Sequence, residues 1–256
     1  MSRRPKALLL PADLRRRLTL FVSVGVVAAA IIAAHGTARP ADASTPAPPA
    51  ELTVIELFTS QGCSSCPPAN DNLVRLSTRP DVLTLSFNVT YWDDLGWPDV
   101  FAKPAYTQRQ RDYQHGLGTD NVWTPQVVVD GRSHVVGQRM ADIERLIAAH
   151  RPFTGPTVIF RDGGVGLAAG SVPAAPADVW LVRYEPRPID VPVARGENSG
   201  RTLPHASVVR DLVRLGSWSG GAARGFALPE PSRTGLSTAV LVQVPNGGPI
   251  LAAARG

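Results

Sequence analysis

VIELFTSQGCSSCPPAN, residues 54–70, changes character twice within its length. Leu52 to Phe58 is rich in β-branched and aromatic residues and breaks into Thr-Ser-Gln-Gly, the pattern of a buried strand entering a loop. The loop carries Cys63-Ser64-Ser65-Cys66. From Ala69 to Ser77, Leu73, Val74 and Leu76 recur at near-helical spacing, and Val82 to Val89 forms a second strand-like run. Strand, CxxC, helix, strand is a βαβ unit, which predicts two parallel strands. Pro67 and Pro68 remove two N–H donors, so a helix that begins late or irregularly is expected after Cys66.

Downstream, Tyr91 to Gly118 is a longer connection. It holds the aromatic residues Tyr91, Trp92, Trp97 and Phe101, then a helix-like stretch from Pro104 to His115 with Gly116 placed to end it. Gln126–Val129 and Ser133–Val136 flank Asp130-Gly131, a strong hairpin signal. Ala141 to Ala149 places Ile143, Leu146 and Ile147 on one helical face. From Pro152 onward the chain turns to short β-branched runs separated by Gly and Pro: 157–160, 179–184, 189–193, 238–244 and 250–251. Residues 208–215 fit helix or strand equally. The expected organisation is therefore an α/β domain at 51–151, a mixed sheet with flanking helices, followed by a β-rich, sandwich-like domain at 152–256.

Upstream, residues 18–34 are an uncharged apolar run directly behind Arg15, Arg16 and Arg17, the pattern of an export signal over residues 1–43. Ala41-Asp42-Ala43 is a usable cleavage site. The run is also nearly as long as the roughly 20 residues of a membrane span, so cleavage and anchoring both stay open. Residues 44–50 belong to a Pro/Ala-rich spacer. The leader also explains the formal net charge of +5. Seven basic and two acidic residues precede position 44, which leaves 19 of each sign in the rest of the 256 residues. A neutral exported body gives no reason to expect nucleic acid as partner. Membrane contact is expected only through the N-terminal segment, if that segment is retained. With 44% hydrophobic and 18% charged residues the chain is neither a disordered polyelectrolyte nor a coiled coil.

Cys63 and Cys66 are the only cysteines. In an oxidising compartment they have only each other, and a bond across two residues constrains the unfolded chain little, so stability is a poor reason for the pair. Reactivity is a better one. A helix N-terminus stabilises thiolate over thiol, and CxxC pairs in such positions have pKa values down to roughly 3.5 to 7. Cys63 is expected as the exposed attacking sulfur and Cys66 as the resolving one. A zinc site would need further ligands, and His115, His134, His150 and His205 are scattered singly. Copper(I) needs only two thiolates, so Cys63 and Cys66 as a copper site is an alternative. A binding module with a permanently closed disulfide is another. No resident cofactor is expected.

The order strand, CxxC, helix, strand, helix, then Trp123-Thr124-Pro125 before a hairpin and a last helix resembles the thioredoxin fold. The resemblance implies a cis proline at Pro125 packed against the cysteines and shielding them from metals. It also implies that the Thr124 backbone pairs with a bound substrate segment. VIELFTSQGCSSCPPAN, YWDDLGW, WTPQVVVDG and ENSGRTL together resemble a family of secreted bacterial proteins with a thioredoxin-like domain and no assigned function. That pattern has His and Asp before YWD where this chain has Asn88 and Thr90, so any proton relay through those groups is lost here.

Other residues carry weaker signals. Glu56 shares a strand face with Phe58. If buried, it is a candidate proton acceptor for Cys66; otherwise it is exposed or salt-bridged. Tyr91, Trp92, Trp97 and Trp123 form either core or a groove beside the CxxC. Asp93, Asp94 and Asp99 suit turn capping better than catalysis. Glu197 to Arg201 reads as a structural turn in which Glu197 pairs with Arg201. The expectation is thus an exported, periplasmic or secreted, thiol–disulfide oxidoreductase acting on thiol- or disulfide-containing proteins. The sequence is silent on oligomeric state.

Overall fold

β1 (Thr53–Thr59) and β2 (Val82–Asn88) run parallel around α1 (Pro67–Leu76), as the strand–helix–strand order requires. The structure, a computed structural model, describes residues 52–256, so the export signal at 1–43 and the spacer at 44–50 lie outside the described residues. β3 (Gln126–Val129) is antiparallel to β1 on its other side and turns into β4 (Ser133–Val136), giving the order β2-β1-β3-β4. The turn residues Asp130 and Gly131 have φ of 53° and 63°. A two-residue hairpin needs this left-handed backbone to match the twist of its strands.

Two expectations about helix ends are corrected. α1 starts directly at Pro67, with Cys66 as its N-cap and prolines in its first positions. N–H groups there have no partner within the helix in any case, so the rings interrupt nothing. α2 (Pro104–Leu117) runs past Gly116 and ends at Gly118, whose φ is 65°. Gly116 serves a different need, because a Cβ there would overlap the Gly247 carbonyl of a crossing loop. α3 (Met140–Ala148) follows the hairpin, as its apolar spacing requires.

Strand alternation divides β1 between two cores. Ile55 and Leu57 pack with Ala69, Leu73 and Leu76 of α1 and with Ile143 and Ile147 of α3. Val54 and Phe58 face the other way, onto Tyr106 and Tyr113 of α2. The Phe58 and Phe87 rings stack at 5.5 Å, and Tyr113 stands edge-on to Phe58 at 5.9 Å.

The rest of the chain is all β: β5 (Val158–Arg161), β6 (Gly164–Leu167), β7 (Ala177–Tyr184), β8 (Ile189–Pro192), β9 (Thr202–His205), β10 (Val209–Trp218), β11 (Arg224–Ala227), β12 (Ser237–Gln243) and β13 (Ile250–Arg255). They form sheets of order β10-β7-β12-β13, β11-β6-β5 and β8-β9. The ambiguous stretch near 208–215 is strand. Register shifts between Val209 and Asp211 and between Arg214 and Gly216 break the period of two that would have identified it. Val165 and Leu167 pack on Val179, Leu181, Val240 and Val242, so two of the sheets share a core. The other face of the four-stranded sheet contributes Val182, Ala239, Leu241 and Ile250 to the core beneath β1 and β2. The chain is a mixed α/β, β-rich fold with three helices among the described residues. No helix among them is long and apolar enough to cross a membrane.

Candidate functional site

The loop after β1 is wound tightly by its own backbone. Cys63 N–H donates to Ser60 O at 3.2 Å, Cys66 N–H to Cys63 O at 3.1 Å, and Ala69 and Asn70 N–H both to Cys66 O. This places the two cysteines at the mouth of α1 with Cα atoms 5.4 Å apart, joined as a disulfide. Ser64 and Ser65 between them are exposed. The expectation of an exposed Cys63 is corrected: both cysteines are 0% exposed.

A segment far away in sequence, the turn between β8 and β9, is hydrogen-bonded to this loop. Asn198 is fully buried and its Nδ2 donates to Gln61 O and to Cys63 O, each at 2.9 Å. Glu197 Oε2 accepts the Ser64 N–H at 3.0 Å. Hydrogen bonding from Ser64, its hydroxyl first and its N–H second, holds the Glu197 carboxyl below its ordinary pKa. Arg201 does not pair with Glu197 as expected; it donates to Asn198 Oδ1 at 2.9 Å and so fixes the amide that grips the cysteine loop. These contacts give the 197–201 turn its structural role, tying the β8–β9 connection to the cysteine loop. The ENSGR motif was the available signal, but no local pattern tells which distant loop a turn will meet.

On the opposite side, the Thr124–Pro125 peptide is cis. Ser65 Oγ lies 3.3 Å from Cys63 Sγ and donates to Thr124 O at 3.5 Å. Trp92 Nε1 donates to Thr124 Oγ1 at 2.8 Å, and Gln138 Nε2 to Ser65 O at 3.0 Å. Thr124 O is thereby linked to the CxxC loop through the Ser65 hydroxyl.

The remaining candidates sort by which face they occupy. Glu56 is fully buried, but on the α2 face of β1, away from the side on which α1 packs. Arg109 Nε donates to its Oε1 at 2.6 Å and the Tyr113 hydroxyl donates to Oε2, so both oxygens are occupied. Arg109 also donates to Gln243 Oε1 at 3.1 Å. Glu56 is the anchor of a buried ion pair, and the proton-acceptor role is corrected.

Asp99, by contrast, stands against the cysteine loop. It accepts from Gln61 N–H at 2.7 Å, Asn88 Nδ2 at 2.8 Å and Phe101 N–H at 2.8 Å. Burial pushes its pKa up, against the downward pull of those three donors. Asp93 in turn accepts the Asp99 N–H at 3.0 Å, so these two acids hold loops, as expected of them. Trp97 Nε1 donates to Gln61 Oε1 at 2.9 Å, and Tyr91 and Trp92 pack onto the core beneath β1. Thr90 bonds Thr107, and Asn88 supports Asp99. Of the single histidines, His150 pairs with Asp130 at 2.7 Å, while His205 is buried with both ring nitrogens unpartnered. Among the described residues no three His, Cys, Asp or Glu side chains gather as a metal set.

Fold and site together define a β-rich mixed α/β protein with a closed cysteine pair capping its first helix. The chain belongs to the family described as a protein of unknown function (DUF1223), whose model matches residues 54–243. It is similar to the crystal structure of a protein from Agrobacterium tumefaciens at 33% identity, over 82% of this chain and 95% of that one, with a TM-score of 0.66. HBP35 of Porphyromonas gingivalis, at 12% identity and TM-score 0.56 over 80% of this chain and 74% of that one, shares the fold alone. No curated protein matches the chain.

Proposed function

We propose that the chain is a thiol–disulfide oxidoreductase, built on a thioredoxin-like unit at 51–151 and acting outside the cytoplasm on thiol- or disulfide-containing proteins. The observation that carries this reading is the meeting of three elements. A CxxC pair forms the N-terminal cap of α1, a cis Thr124–Pro125 lies beside it, and Ser65 bridges the two. The strand order β2-β1-β3-β4, with β1 and β2 parallel, supports the thioredoxin-like assignment. The basic leader and apolar run support the address.

In the reducing direction, the Cys63 thiolate attacks one sulfur of a substrate disulfide. A mixed disulfide forms and one substrate thiolate leaves, taking a proton from solvent. Cys66, deprotonated, then attacks Cys63 Sγ. The mixed disulfide breaks, the Cys63–Cys66 bond re-forms and the second substrate thiol is released, two electrons having passed to the substrate. The oxidising direction is the reverse. Because both cysteines are buried, the loop that carries them has to open before a protein substrate can reach the sulfurs.

The test is exchange with a model protein disulfide. Cys63→Ser abolishes it, and Cys66→Ser accumulates mixed disulfides; full exchange in Cys63→Ser would refute the reading. The burial of the sulfurs favours a second reading, a binding module whose disulfide stays closed. A reduction potential well below about −300 mV together with no exchange activity would select it.

A further inference from the structure

We propose that Glu197 is a positioning residue that biases the Cys63–Cys66 couple toward its disulfide, so that the reduced pair donates electrons to the disulfides of partner proteins instead of oxidising their thiols. This rests on the thiol–disulfide reading above.

The argument is a count of the donors available to a Cys63 thiolate. Helix N-termini favour thiolates through unpaired N–H groups and the positive end of the dipole. Here the first two helical residues, Pro67 and Pro68, have no N–H to offer. The Ala69 and Asn70 N–H groups are bound to Cys66 O, the Cys66 N–H to Cys63 O, and the Cys63 N–H to Ser60 O. The amide next to Cys63 in the chain, that of Ser64, is taken by the Glu197 carboxylate at 3.0 Å. Glu197 therefore acts twice: it occupies a donor and it sets a negative charge one residue from the sulfur. Of the two arginines in the turn, Arg201 donates to Asn198 Oδ1, and neither it nor Arg195 forms an ion pair with Glu197. What remains near the sulfur is Ser65, whose Oγ is 3.3 Å away and whose N–H takes no part in the backbone bonds of the loop.

A couple becomes a strong oxidant when its reduced form is stabilised, and a reductant when it is not. With the Ser64 amide taken by a carboxylate one residue from the sulfur, the thiolate is less stabilised and the reduced pair gives up two electrons more readily. Each turnover closes Cys63–Cys66 and opens one substrate disulfide to two thiols. Return to the dithiol requires an external dithiol donor, which is itself oxidised to a disulfide.

The experiment measures the redox equilibrium of the folded protein in dithiothreitol buffers and the thiolate pKa of Cys63, for wild type, Glu197→Gln, Glu197→Ala and Glu197→Asp. Gln keeps an acceptor for the Ser64 amide and removes the charge. Glu197→Gln is expected to shift the equilibrium toward the dithiol by about tenfold, about 30 mV for a two-electron couple, and to lower the Cys63 pKa by about one unit. Glu197→Ala, which also frees the amide, is expected to shift both further, and Glu197→Asp to return toward wild type. Glu197 is exposed, so all three variants fold. A merely covering residue would change the rate of alkylation or reduction and leave the equilibrium in place. A wild type that exchanges, with Gln and Ala variants at the wild-type potential or more reducing, overturns the role of Glu197 alone. A folded wild type that dithiothreitol cannot reduce overturns the thiol–disulfide reading and this inference with it.

Discussion

Glu56, which the sequence links to Cys66, and Glu197, which it reads as part of a distant turn, lie in the structure the other way round: Glu56 away from the cysteine loop and Glu197 against it. Glu56 lies seven residues before Cys63, in the strand that leads to it, yet it points to the far face of the sheet into Arg109 and Tyr113. Glu197 is 133 residues from Ser64 and arrives on an exposed turn, yet its oxygen rests on the cysteine loop. Closeness along the chain is a poor guide to closeness in a sheet protein, since neighbouring strand residues face opposite ways. A charge in the core serves the fold, whereas a charge at the rim can serve the sulfurs.

This contrast can be broken by substitution. The largest effect is expected at the core carboxylate. Glu56→Ala leaves Arg109 buried without its counter-charge and should cost about 3 to 5 kcal/mol in urea unfolding, with no change in the redox equilibrium of the molecules that remain folded. A shift in that equilibrium would erase the contrast.

Next comes the β8–β9 arm's own buried titratable group. His205 is buried and unpartnered, and burial pushes its pKa down to about 4. In the unfolded chain it titrates near 6.5. The unfolded state therefore binds a proton between those values while the folded state does not. The stability His205 allows is complete above about pH 6.5 and is lost as pH falls toward 4, by about 3 kcal/mol. Asp99, raised by burial, acts with the opposite sign and offsets part of that loss as pH falls below its own folded value. Unfolding of His205→Leu between pH 7 and pH 4 should show a correspondingly flatter acid limb.

A smaller cost is expected for Asn198→Ala, which strands the buried Gln61 and Cys63 carbonyls, about 1 to 3 kcal/mol. It should also speed chemical reduction of the disulfide, measured under identical thiol concentration. The smallest stability effect belongs to Glu197→Gln, with no measurable change in urea unfolding expected, because the side chain is at the surface. A large loss there would assign Glu197 to the fold, alongside Glu56.

Much of the architecture was legible in local pattern. The β1–α1–β2 unit, the Asp130-Gly131 hairpin and both faces of β1 follow from the periods of the apolar residues and from turn chemistry. β6, β9 and β11 were not, since each spans only four residues and carries glycine or proline in or beside it. β10 hid behind two register shifts. At the site, Cys63 and Cys66 were named from the motif, and Thr124 and Pro125 from the family resemblance. The grip of Asn198 on the cysteine loop was not foreseeable, because its partners are backbone carbonyls with no sequence signature.

The length of chain between the cysteine loop and the arm that binds it also sets an order in time. Synthesis at about 5 to 20 residues per second places Glu197 on the order of ten seconds behind Ser64. For that interval the nascent chain carries both cysteines without the Glu197 and Asn198 hydrogen bonds that later tie down their loop.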